Sequence, residues 1–548
     1  MKTKRIVALL LAFVMAFSVA LFTGCSCSGP KDVMGLKVDE GCYVNNEPQI
    51  GYSEDIYYRT LANLTKMKDS VQSENISELS CQLLCVLVAT QLYMLMDAVN
   101  VSNVYYYSNL SNEVNQNGYM DLYQKYLTCM NEFKKLYPLF AESERYKEIF
   151  FGEDMTDSEI KELVEEAVTT DKLVDLESEA VDIQTRYNNL TNEQILGSEF
   201  DTIYAELVDV NNQIAAEYGY TDYSTYSYEK MYQREFTPAD TLTFATSLVD
   251  NNFTGSAIAA NKKIDTSTAQ IENILSQPFL GDNGKAILDG FYKSLGDEIY
   301  GIYQYVMQDG YFYIATAPDA YQGAFTNYFV TLDKPFMYFS QSYATVEVFI
   351  HEFGHYLRFY MLGGDSSASY ELMETNSQAA EWLFMSYLEN NYETLNLSQP
   401  ETVNASRQKY VSSAYDIILS TVVGASEVEV YQNGITADYS VVTDKWSKYI
   451  LGETIPELYS GYLTPTEYFR FTTVTSPSYY ISYGVSLITS IKIYIESHTS
   501  YENAVNTYIE LLKTQQSYID LLVKNGMGSP LDTTTIASVT QYFMYQLD

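Results

Sequence analysis

Histidine is scarce in this 548-residue chain, which has only His351, His355 and His498. A Cys/His zinc-finger pattern is therefore out of reach. Cysteine is also sparse: Cys25, Cys27, Cys42, Cys81, Cys85 and Cys129 all fall in the first quarter. That distribution excludes a disulfide framework for the whole chain. Cys81 and Cys85 stand one helical turn apart in an apolar run, which reads as buried core rather than a redox or metal pair. Basic residues are few, 32 Lys and Arg against 71 Asp and Glu, for a formal net charge of −39. Such a surface repels nucleic acid and anionic lipid head groups, so neither is an expected partner. A solvated surface suited to life outside the cell explains the acidity; a preference for cationic peptides is a secondary reading.

What is present begins with an export signal. Lys2, Lys4 and Arg5 precede an apolar run from Ile6 to Phe22. Thr23 and Gly24 then lead into Cys25, the pattern at which bacterial lipoproteins are cut and acylated, with Phe22 where Leu is usual. Residues 1–24 are the expected signal peptide, and a lipid on Cys25 would anchor the protein to the outer face of the plasma membrane. A plain secretory signal or an uncleaved anchor is the alternative, and Cys27 is a weaker acceptor. With Cys25 acylated, an odd number of cysteines remains. Residues 25–53 lack periodicity and read as a tether, with folded structure expected from Glu54.

Leu79 to Val99 is the most apolar internal stretch, but Gln82, Gln91 and Asp97 interrupt it, which favours a buried helix over a second membrane span. Thr156 to Glu159 reads T-D-S-E, a capping box, and helical spacing continues to about residue 305. Between Tyr311 and Phe339 the residues become β-branched and aromatic, predicting extended segments; helical spacing then resumes to the C-terminus. There is no internal repeat. The 53 tyrosines are read as core edges and surface. Length predicts two or three packed subdomains, here a helical region over 54–200 and a catalytic region over 201–548, in a monomer.

The chemistry sits in V-E-V-F-I-H-E-F-G-H-Y-L. Val346, Phe349, Ile350, Phe353 and Leu357 are spaced for a buried helix, so His351 and His355 project from one face and can grip one Zn²⁺. Glu352, about 100° around that helix, reaches a water beside the metal and is the candidate general base. Zinc would bring such a water's pKa to about 7 and polarise the carbonyl under attack. A third ligand is required, and Asp365, Glu371, Glu374 and Glu381 are the next carboxylates. Glu374 is preferred, because the helical T-N-S-Q-A-A-E-W-L-F after it can return it to the metal; Glu371 is the fallback. Glu381, two turns on, can orient a histidine from behind. His498, in I-E-S-H-T-S, reads as a surface residue at a helix end.

Five blocks resemble the thimet oligopeptidase and oligoendopeptidase F family of zinc peptidases. They are V-N-N-Q-I-A-A-E-Y-G-Y-T-D-Y (210–223) with Arg234 and T-P-A-D (237–240); Y-Q-G-A-F-T-N-Y (321–328); K-P-F-M-Y-F (334–339); H-E-F-G-H with E-T-N-S-Q-A-A-E (374–381); and Y-I-E-L-L-K-T-Q-Q-S-Y-I-D-L-L-V-K-N-G-M (508–527). The resemblance spans about 200 to 530 and independently supports Glu374. It implies a mainly α, two-lobed zincin-type body with a small β element beside the H-E-x-x-H helix, a deep substrate channel, one zinc, and cleavage of short peptides. The strand carrying Phe336, Met337 and Tyr338 would bind the substrate backbone as an added strand, an ordinary buried strand being the other reading.

The sequence departs from the family at 472–486, where the usual oxyanion-binding histidine is missing. Tyr479 and Tyr483 match the family's tyrosine positions, with Tyr480 an alternative; losing one oxyanion donor costs about 100- to 1000-fold in rate. The connection from His355 to Glu374 is also shorter than expected. Two other readings stay open: a lipid-anchored peptide-binding protein on a degenerate scaffold, disfavoured by Glu352, and an aminopeptidase-like zinc enzyme, disfavoured by the lack of a G-x-M-E-N-like motif.

Overall fold

The computed structural model describes residues 41–73, 77–152, 155–167, 170–265, 270–364, 368–434, 439–452 and 463–546. The expected export signal, Cys25, Cys27 and Asp365 lie outside these residues. Two compact units emerge: Met1–Thr170 with Gln304–Ala344, and Asp171–Tyr303 with Thr345–Asp548.

In the first unit, helices α1 (Asp55–Val71), α2 (Glu78–Ser108) and α3 (Glu113–Lys134) pack on one another. Cys81, Cys85, Val88, Leu92 and Leu95 form the buried stripe of α2, and both cysteines carry free thiols. At its N-terminal end α2 turns Leu79, Leu83 and Leu87 outward, so the helix is two-faced there rather than buried all round. By length and composition alone α2 could cross a membrane. Thr156 and Glu159 form the expected reciprocal cap, Thr156 N donating to Glu159 Oε2 at 2.7 Å and Glu159 N to Thr156 Oγ1 at 3.3 Å.

The unit also holds a four-stranded sheet of β1 (Gly41–Tyr43), β2 (Tyr311–Ala315), β3 (Ala324–Phe329) and β4 (Lys334–Ser340), in the order β1-β2-β4-β3. Strands β2 and β4 are parallel and the other pairs antiparallel. The sheet buries Tyr313, Phe336 and Tyr338 against Val101, Val104 and Tyr105 of α2, which draws a mid-chain segment back onto the N-terminal helices. The unit boundary at 170 therefore differs from the expected one at 200. Helix α4 (Asp171–Asn188) instead packs Leu173, Leu176 and Ile183 with α5 (Ser198–Glu217) in the second unit.

Two expectations are corrected here. Gly41–Tyr43 lies within the expected tether, yet pairs with β2, and Val44 N donates to Phe312 O at 3.0 Å. A three-residue strand carries too little alternation to show in sequence. Phe336, Met337 and Tyr338 were expected to bind an added strand, but β4 is interior and both its edges are already bonded. Their side chains are fully buried, and the outer strand beyond β4 is β3.

In the second unit, α6 (Val346–Leu362), α7 (Tyr370–Asn390), α8 (Gln399–Asn433), α9 (Ile481–Ser497) and α10 (Tyr501–Lys513) carry the site. Helix α7 contacts all four others. It is buried on nearly every side, with small residues such as Ala379 and Ala380 along its length and Trp382 against Tyr494. A helix covered all round is a fixed axis for what it carries.

Candidate metal centre

Helix α6 starts at Thr345, whose hydroxyl accepts from Val348 N at 3.4 Å, and ends at Gly363 in the left-handed conformation at φ 66°. Val346, Phe349, Ile350, Phe353 and Leu357 are all buried, as their spacing predicts. The opposite face presents His351 and His355, whose ring centroids lie 5.1 Å apart. Gly354 faces α7: a Cβ there would meet Asn376 O and Ser377 Cα, each at 2.5 Å. The two helices can therefore touch backbone to backbone at the level of the histidines.

That close approach delivers Glu374. Its Oε2 lies 3.8 Å from His351 Nε2 and 3.9 Å from His355 Nε2. This oxygen is buried without a hydrogen-bond partner. The three candidate ligand atoms all fall within 4.8 Å of one another. Two imidazoles and a carboxylate converging on one point, with an unbonded buried oxygen among them, fit a tetrahedral zinc site with one open position. Glu352, buried on the same helix, adds a further negative charge beside them.

Behind His351 stands a charged relay. Its Nδ1 lies 2.6 Å from Glu381 Oε1, the contact expected of a carboxylate that fixes the tautomer and turns Nε2 toward a metal. Lys409 of α8 bonds the other oxygen of Glu381 and reaches Glu347 at 3.0 Å. Burial alone would raise the Glu381 carboxyl, but Lys409 and His351 hold it down to about 2. Burial would likewise lower His351, yet the Glu381 bond and charge lift it to about 9. At His355 burial, reinforced by the charge of His351, outweighs the opposing charge of Glu381 and a hydrogen bond to the Met373 backbone, and lowers it to about 3. Burial pushes Glu374 up to about 7.

The tyrosine side is uncharged. Residues 477–480 form a turn before α9, and Tyr479 donates its hydroxyl to Glu374 Oε1. The Tyr483 hydroxyl lies 3.4 Å from that of Tyr479. Burial, followed by the charge of Glu374, raises both phenols well above the ordinary tyrosine range, so both remain neutral donors. Tyr479 thus bonds the candidate ligand Glu374 directly, a contact that its expected oxyanion role did not include. Tyr480 packs its ring on Tyr468, Tyr479 and Tyr483. Glu371, the fallback ligand, is turned away and paired with Arg234 at 2.8 Å. His498 caps the end of α9 and bonds Glu389 at 2.8 Å.

Sequence reasoning missed Lys409 and Gly354. Nothing local marks Lys409, because its partners lie 28 and 62 residues away. Gly354 did leave a signal, since glycine inside a helix costs about 1 kcal/mol relative to alanine and calls for a packing reason.

Solved structures carry the same arrangement of elements. PZ peptidase A with an inhibitor aligns with TM-score 0.67 at 14% identity, covering 92% of this chain and 98% of that one. A candidate oligoendopeptidase F from Bacillus anthracis aligns with TM-score 0.64 at 13% identity, over 92% and 97% of the two chains. Oligoendopeptidase F from Enterococcus faecium gives TM-score 0.50 at 12% identity, over 90% and 97%. This is the oligoendopeptidase F fold. No family model and no curated protein matches the sequence. Within the oligoendopeptidase F fold the resembling blocks at 321–328 and 334–339 supply β3 and β4, while the rest meet in the second unit. Tyr508 donates to Asn376 O at 3.1 Å, and Glu235 accepts from Tyr518 N at 2.5 Å and Ile519 N at 3.0 Å.

Proposed function

We propose that this protein is a zinc-dependent endopeptidase that hydrolyses short peptides, with His351, His355 and Glu374 holding the metal. The convergence of their three candidate ligand atoms within 4.8 Å of one another carries the reading. When bound, zinc would supply Lewis acidity, polarising a scissile carbonyl and acidifying a water. Glu352 accepts a proton from the attacking water on its carboxylate and returns it to the leaving amine nitrogen. Tyr483 donates a hydrogen bond to the developing oxyanion, while Tyr479 holds Glu374 in place. Glu381 and Lys409 keep His351 in the tautomer that leaves Nε2 free to ligate. With acylation at Cys25, the enzyme would act outside the cell on a lipid tether.

The test is digestion of a peptide library by the purified protein, read by mass spectrometry, with chelator and zinc re-addition as controls. Internal cuts that vanish with chelator and return with zinc are expected. Peptide retention without cleavage would replace the enzyme by a binding protein, and trimming confined to N-termini would make it an aminopeptidase.

A further inference from the structure

The turn that brings Tyr479 to Glu374 is held in an unusual way. Pro477, Ser478 and Tyr479 each have a backbone polar group gripped by a buried side chain distant in sequence. Tyr232 donates its hydroxyl to Pro477 O at 2.6 Å. Glu427 Oε1 of α8 accepts from Ser478 N at 2.8 Å. Arg234 donates through one terminal nitrogen to Tyr479 O at 3.1 Å and to Ser482 Oγ at 2.9 Å. Ser478 sits between these contacts at φ 62°, a left-handed conformation that serine rarely adopts unless its surroundings impose it.

Arg234 is itself fixed. Its guanidinium lies 4.1 Å from the Tyr228 ring centroid and 4.6 Å from that of Tyr232. Its Nε bonds Glu371 at 2.8 Å, and Ser482 Oγ donates to the same carboxylate oxygen at 2.7 Å. Glu371 is one helical turn before Glu374 on α7. The contacts therefore close a ring: Glu374 to the Tyr479 hydroxyl, Tyr479 O to Arg234, Arg234 to Glu371, and along α7 back to Glu374. A buried ion pair adds little stability against an apolar replacement, but its fixed geometry can specify one arrangement.

We infer that Arg234 and Glu427 are positioning residues that impose the 477–479 backbone conformation and thereby hold the Tyr479 hydroxyl on Glu374. They touch no reacting atom. The inference rests on the peptidase reading only for its kinetic consequence.

The test uses full-length Glu427→Leu and Arg234→Lys, alone and combined with Tyr479→Phe. Glu427→Gln, whose amide oxygen still accepts from Ser478, is the rescue variant. In the zinc-loaded enzyme, Glu427→Leu and Arg234→Lys should each lower kcat by roughly 10- to 100-fold with KM little changed, as misplacement of a supporting group does. Neither should add a loss in the Tyr479→Phe background, because both act through that hydroxyl. Glu427→Gln should restore the parent rate. Full additional losses in the Tyr479→Phe background would overturn the inference. Crystal structures of the variants decide the point without activity: departure of Tyr479 from Glu374 supports the inference, and an unchanged contact refutes it. Should the parent cleave no peptide, the peptidase reading fails while the crystallographic comparison still stands. Should Glu427→Leu not fold, Arg234→Lys carries both measurements.

Discussion

The two flanks of the candidate metal centre are built from opposite materials. On the His351 flank, Glu381 of α7, Lys409 of α8 and Glu347 of α6 form a chain of charged groups. On the Glu374 flank, Tyr479 and Tyr483 offer neutral hydroxyls whose protons burial holds in place. Charges suit the first flank because a ligand must keep one tautomer permanently. Neutral donors suit the second because Tyr479 there meets the Glu374 carboxylate, and in the proposed mechanism a preorganised Tyr483 hydroxyl meets charge that develops during reaction without rearrangement.

Four experiments press on that contrast, in falling order of effect. Glu352→Gln removes the proposed base; kcat should fall by about 100- to 10,000-fold while zinc content, measured by atomic absorption, stays at one per chain. Comparable turnover by that variant would remove Glu352 from the mechanism. Tyr483→Phe deletes a donor on the neutral flank, and a loss of about 100- to 1000-fold in kcat with metal affinity unchanged is expected. An effect on zinc affinity instead would place Tyr483 with the ligands. Glu381→Ala should do the reverse, weakening zinc binding by about 10- to 100-fold in a chelator competition. If zinc binding does not move, the charged relay has no hold on the metal.

The smallest effect concerns pH. Burial pushes the Glu427 carboxyl up to about 8, above its ordinary 4.5. The folded protein therefore binds this proton more tightly than the unfolded chain, and the stability it contributes is present below pH 4.5 and lost as pH rises toward 8. Glu427→Gln, which cannot ionise, should gain about 2–4 °C in Tm relative to the parent at pH 8 and little at pH 5. A constant difference across that range would show that Glu427 does not titrate there.

The legible parts of the molecule were those written in local periodicity. His351, Glu352 and His355 followed from helical spacing, and Glu374 and Glu381 from the same rule applied to the next helix. What stayed hidden depends on pairing across the chain. The place of β4 in the sheet is fixed by β2 and β3 together, and no property of Phe336 to Tyr338 distinguishes an interior strand from one open to substrate. Arg234 lies in a resembling block, but its partner Glu371 is 137 residues away and looked from sequence like a possible ligand. The acid belongs instead to the arginine, because the helix turns it away from the histidines.

Gly354 has one more consequence. Its missing side chain lets α6 and α7 rest against each other, and the separation of Glu374 from the histidines is then a property of that contact, like the gap of a caliper whose jaws are closed on a stop. The chain joining the two helices does not set the gauge. A change in the length or composition of that connection should therefore leave the spacing of the three candidate ligands as it is.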